Sequence, residues 1–98
     1  MAIKKIEKRF DNMTEDVLYG KAKTIVGIKM KEKLASFDPK IDWNDSKKEG
    51  KFNVKGVLGA INVNGDLLTV VINKIPMMLK PFKGKIIESI ERIVSKVE

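Results

Sequence analysis

The stretch "KFNVKGVLGAINVNGDLLTVVIN", residues 51–73, decides the fold. Asn64-Gly65 signals a two-residue hairpin needing positive φ at both corner positions, a backbone that asparagine and glycine tolerate best. Before it, Phe52 and Val54 alternate with polar residues, and Val57, Ile61 and Val63 carry the apolar pattern onward. A period of two is the mark of a half-buried strand. Gly56 and Gly59 interrupt the pattern and predict a bend or bulge within one long strand. After the turn, "DLLTVVIN" (66–73) is rich in β-branched residues and apolar on both faces, as expected of a central strand or one covered on both sides.

Upstream, "KIDW" (40–43) reads as a short strand ending in Trp43, and "NDSKKEG" (44–50) as a polar turn. Pro39 disfavours helical backbone at Asp38 and so closes a preceding helix. That helix runs from about Glu15 to Ser36. Thr14 can cap its free amides, and Glu15 and Asp16 face its positive end. Leu18, Ala22 and Ile25 share one face. Val26, Met30, Leu34 and Phe37 share another, rotated by roughly a third of a turn at ~100° per residue, with Gly27 at the shift. Either the helix bends along a twisted sheet, or part of the second stripe meets a partner chain. "AIKKIEKRF" (2–10), with Ile3, Ile6 and Phe10 among charges, predicts an edge strand.

Downstream, "NKIPMMLKPFKGKIIESIERIV" (73–94) joins the sheet to a last helix. Pro76 and Pro81 bracket "MMLK", long enough for a single turn, and Pro81 suits the first position of the helix. Ile86, Ile90, Ile93 and Val97 then fall at helical spacing, widened by Ile87 and Val94. The expected fold is one α+β domain over residues 1–98: a two-layer sandwich of two helices on an antiparallel sheet of about four strands, in the order β-α-β-β-β-α. Coverage on one side leaves the other sheet face open to a second copy or a ligand.

With 98 residues and 43% hydrophobic content, the chain has material for one modest core. Cysteine and histidine are both absent, which removes disulfides, thiol chemistry, the usual base near neutral pH and the commonest transition-metal ligand. No metal or cofactor is therefore expected. "MAIKKIEKRF" lacks the apolar segment of a signal peptide, and no run reaches the ~18 apolar residues of a membrane span, so a cytoplasmic location is expected. Twenty Lys+Arg against thirteen Asp+Glu leave +7, and only Arg9 and Arg92 are arginines. Lysine is a flexible point charge, whereas arginine forks onto phosphates and bases. The surplus fits solubility or diffuse attraction to anionic surfaces better than nucleic-acid recognition.

Several residues together resemble a known family. An N-terminal strand, an acidic-started helix, a tryptophan opening a meander ("IDWND"), then "VKGVLGAINV" and "KIPMMLKPFKGKIIESI" occur in one order. This resembles the small bacterial polyhydroxyalkanoic acid system proteins over nearly the whole chain, although a lysine-rich surface departs from the family. The resemblance implies an accessory role around polyester storage granules and brings no catalytic residue with it.

Tyr19, Asp42, Asp45, Asp66, Glu88, Glu91 and the lysines are the polar groups available for catalysis. Asp42 and Asp45 flank Trp43, but acidic residues near a turn commonly serve as turn groups. "GVLGA" lacks the Lys-Ser/Thr of a phosphate loop and opens no helix. A non-catalytic protein is expected. Trp43 can fill a core edge or serve a contact. Met77, Met78, Leu79 and Phe82 either pack over the open end of the sandwich or form an adaptable apolar patch. Lys80, Lys83 and Lys85 beside them would give that patch a cationic rim. The leading expectation is an accessory protein that binds a polyhydroxyalkanoate granule, a granule protein or its own copy. A carrier is the alternative, holding a lipid or acyl chain between the terminal helix and Leu67–Ile72; a basic nucleic-acid module is the less favoured one.

Overall fold

Two tight turns shape the centre of the sheet where the sequence signals only one. The computed structural model describes residues 3–97. The chain runs through β1 (Lys4–Arg9), α1 (Glu15–Lys33), β2 (Lys40–Asn44), β3 (Glu49–Val54), β4 (Val57–Asn64), β5 (Leu67–Lys74) and α2 (Lys83–Ser95). Among the described residues the architecture is α+β with two α-helices. The antiparallel sheet has five strands in the spatial order β1-β5-β4-β3-β2, not about four.

The extra strand comes from Lys55-Gly56. Both have positive φ, 53° and 90°, and Val54 pairs directly with Val57, so the expected bend is a two-residue hairpin. The expected irregularity at Gly59 is present: the β4–β5 register slips between Leu58 and Gly59. The second hairpin forms, but its corner is Gly65-Asp66 rather than Asn64-Gly65, and only one of the two corner residues has positive φ. Asn64 pairs with Leu67, and Gly65 (φ 62°) takes the positive-φ position. Bonds from α1 and from the end of β1 hold that register. The Gly65 N–H donates to Glu15 Oε2 at 2.7 Å, and the Phe10 N–H donates to the Asp66 carbonyl at 2.8 Å.

Alternate residues of the strands face the helices. Phe52, Val54, Val57, Ile61, Val63, Leu68, Val70 and Ile72 form the sheet side of the core. Two large rings on this side lie across glycines of the neighbouring strand. Trp43 pairs with Gly50, and Phe52 pairs with Gly59, where an added Cβ would sit 2.1 Å from the Phe52 ring. As expected, β1 is an edge strand and β5 is interior.

In α1, Thr14 Oγ1 accepts the Val17 N–H at 3.3 Å, the predicted cap. The helix stops at Lys33, and Ala35–Phe37 continue as a 3-10 turn rather than as α-helix. Its buried positions Leu18, Ala22, Val26 and Met30, continued by Leu34 at the C-cap, recur every fourth residue, with Tyr19 buried beside the first. Each such step overshoots a turn by ~40°, so one stripe drifts around the axis as the sheet twists beneath it. This accounts for the apparent change of face near Gly27. The stripe of α2 is as read: Ile86, Ile90, Ile93, Val94 and Val97 are buried, and Ile87 is half-buried. Lys8, on the inner side of β1, donates to the Ser95 and Val97 carbonyls at 3.3 and 3.1 Å and so satisfies the end of α2.

Candidate contact surface

The segment between β5 and α2 is built around one anchored proline. Ile75 is buried at the end of the sheet, and Pro76 packs at Gly56, occupying the space a Cβ there would need. The Leu79 N–H donates to the Pro76 carbonyl at 2.9 Å, which starts a 3-10 turn over Met77–Phe82. Pro81 lies inside that turn, and α2 begins only at Lys83, two residues later than the proline suggested. With three residues per turn, consecutive side chains point ~120° apart, so only one of Met77, Met78 and Leu79 can face the core. Leu79 does so. Met77 is 80% exposed, Met78 85% and Phe82 52%. Packing of the whole run over the end of the sandwich is therefore not what the chain does. Lys80, Lys83 and Lys85 are exposed around this tip and form no ion pair among the described residues.

Trp43 does not belong to this surface. It is half-buried against the core and meets the Tyr19 ring edge-on at 6.0 Å between centroids. It pairs with Gly50 near one end of β3, while the proline corner touches Gly56 just beyond the other end. Six strand residues separate those ends by roughly 20 Å. Alternation along β2 aims the ring inward.

Several of the polar candidates have structural partners. Tyr19 Oη donates to Asp45 Oδ1 at 2.6 Å, and Lys23 Nζ approaches the same oxygen at 2.9 Å. Burial, then the hydrogen bond and charge of Asp45, push the Tyr19 phenol up to about 12. The Tyr19 hydrogen bond, followed by that from Lys23, holds the Asp45 carboxyl below its ordinary range. Lys48 reaches Asp16 at 3.3 Å and Glu15 at 3.6 Å, and Asp16 first of the two raises its pKa. These contacts tie the start of α1 to the β2–β3 turn. Asp42 is exposed on the opposite face of the sheet, so Asp42 and Asp45 do not share a cleft. Among the described residues, no group of three or more Asp and Glu could hold a metal ion.

Between β5 and α2, the space an acyl chain would need, Leu68, Val70 and Ile72 have zero exposure and Ile90 and Ile93 at most 2%. The interface has no opening to solvent at these positions. A groove of about 620 Å³ lies instead along α1 and α2, lined by Lys29, Lys33, Ser89, Arg92, Ile93, Ser95 and Lys96. It mixes cationic side chains with apolar surface and offers no wholly apolar wall to a hydrocarbon chain. No helix among the described residues is long and apolar enough to cross a membrane.

Taken together, these features define a small α+β domain with a closed core and an apolar corner held outside it. Its family follows from the chain as a whole: the model described as "putative polyhydroxyalkanoic acid system protein" matches residues 2–97 of 98, and the chain belongs to that family. No curated protein and no solved structure matches it.

Proposed function

We propose that the protein is a non-catalytic accessory component of the polyhydroxyalkanoate system that adheres to the granule surface through its Met77–Phe82 corner. The observation that carries this reading is the exposure of Met77, Met78 and Phe82 on a turn whose path is fixed by Pro76. Moving such a side chain from water into an apolar phase contributes about 1.5–3 kcal/mol. Lys80, Lys83 and Lys85 border the tip, where each would add on the order of 1 kcal/mol toward an anionic interface. The flexible thioethers of methionine suit a surface without fixed shape, such as a polyester coated with lipid and protein. Tight packing elsewhere favours this reading over an internal lipid carrier.

Co-sedimentation with polymer granules and with anionic vesicles tests it. Met77→Asp with Met78→Asp should abolish binding to both while leaving the thermal midpoint within about 2 °C, since neither side chain is in the core. Replacing Lys80, Lys83 and Lys85 by glutamine should weaken vesicle binding and its salt dependence while sparing bare polymer. Unchanged binding by the folded double aspartate variant would remove the corner from the function. Retention on heparin that disappears in moderate salt, with no shift of labelled RNA or DNA, is expected if the net charge of +7 serves only diffuse attraction.

A further inference from the structure

Among the described residues, the sheet face turned away from the helices has no covering layer, and its side chains form charged rows. Strand register sets Lys5, Val71, Ala60 and Lys51 side by side across β1, β5, β4 and β3. The next row toward the Gly65 turn is Glu7, Thr69, Asn62 and Glu49 on the same four strands. One row carries two ammonium groups, and the other carries two carboxylates in the same columns. The rows are about 7 Å apart along the strands. Between the charges lie the half-buried Val71, Ala60 and Thr69, and Leu58, beside the lysine row, is 38% exposed.

We infer that a second copy of the chain docks on this face, through a two-fold axis that lies between the two rows and runs across the strands. A face-to-face dimer has its axis in the plane of contact. An axis along the strands would exchange columns and keep rows, setting lysine over lysine. The axis across the strands exchanges the rows and keeps the columns. Lys51 then meets the partner's Glu49, Lys5 meets the partner's Glu7, and Val71 and Ala60 cover the partner's Thr69 and the partner's Asn62. At the far edge, Asp42 of β2 stands over the partner's Asn44. The two sheets stack with their strands aligned, as in a sandwich, and lysine side chains are long enough to absorb the usual ~30° rotation.

The face measures roughly 24 by 20 Å, so a dimer would bury on the order of 1,000 Å², the lower end for a specific interface. That size predicts reversible association. Because the axis reverses the strand direction, the two Met77–Phe82 corners would lie at opposite ends of the dimer, able to touch two separate surfaces. The docking itself does not rest on the granule reading.

The Lys51–Glu49 column provides the test, because neither residue has an ion pair within the chain among the described residues, whereas Lys5 already contacts Glu7 at 3.9 Å. Equilibrium sedimentation of the full chain over a roughly hundredfold range of concentration should show a monomer–dimer equilibrium. Lys51→Glu alone and Glu49→Lys alone should each weaken it about tenfold, since each places two like-charged contacts across the axis. The double exchange should return the constant to within about threefold of the parent. Circular dichroism establishes that each variant is folded. A chain that stays monomeric throughout overturns the inference, as does a dimer indifferent to either reversal or a double exchange no better than the singles. Met77→Asp with Met78→Asp should leave the dimer unchanged; its dissolution would assign the contact to the corner and not to the sheet.

Discussion

Among single residues, the seven glycines show how differently one residue type can be used. At Gly59 an added methyl would lie 2.1 Å from the Phe52 ring and 2.3 Å from the Val71 carbonyl oxygen. A ring can turn, but a backbone carbonyl in the sheet cannot move without breaking its ladder. At Gly27, inside α1, nothing lies within 4 Å of the same position. Gly59→Ala should therefore cost about 3 kcal/mol or more, and Gly27→Ala should stabilise by about 0.5–1 kcal/mol. Urea unfolding of the two variants checks both signs. The sequence marked Gly56 and Gly59 as interruptions but did not separate a hairpin from a bulge. The reason is parity: inward residues pass from even (Phe52, Val54) to odd (Val57, Ile61), and one bulge or one two-residue turn produces the same change. Only the pairing of Val54 with Val57 distinguishes them.

At the scale of elements, the start of α1 is tied to both neighbouring turns. Tyr19 and Lys23 hold Asp45, while Glu15 holds the Gly65 amide. The pH dependence follows from the two shifts. The depressed Asp45 contributes stability above the ordinary carboxylate range, and that contribution is lost as pH falls through its lowered value. The raised Tyr19 contributes stability below the ordinary phenol value, and that is lost as pH rises toward about 12. Asp45→Asn should flatten the acid limb of a stability–pH profile, and Tyr19→Phe the alkaline limb. The phenolate absorbance of the native protein should rise with a midpoint near 12. None of these contacts was legible beforehand, since Tyr19 and Asp45 are joined only by the fold. The Met77–Phe82 turn was legible in part. Its prolines announced a fixed path, but which side chain faced inward depended on the phase of a 3-10 turn set by the Pro76–Gly56 contact.

In the whole molecule, α2 and the inner faces of β1 and β5 belong to one core, and Ile90 is buried in it at 1% exposure. Ile90→Ala should cost about 2–5 kcal/mol, a large share of the ~5–15 kcal/mol available to a domain of this size. Because the core is shared, the urea midpoint should fall with an unchanged slope, and exchange protection in β5 and α2 should be lost together. Periodicity identified both helices, the buried stripe of α2 and the central strand, and the Asn64-Gly65 pair signalled the second hairpin, because those features depend on short spans of chain. Composition alone removed cysteine and histidine chemistry. The number of strands, the separation of Trp43 from the methionine corner and the charge rows of the open face were decided only by tertiary structure. Each depends on strand register, and register is set by contacts between residues far apart in sequence: a ring over a glycine, a carboxylate on a turn amide, a proline against a hairpin.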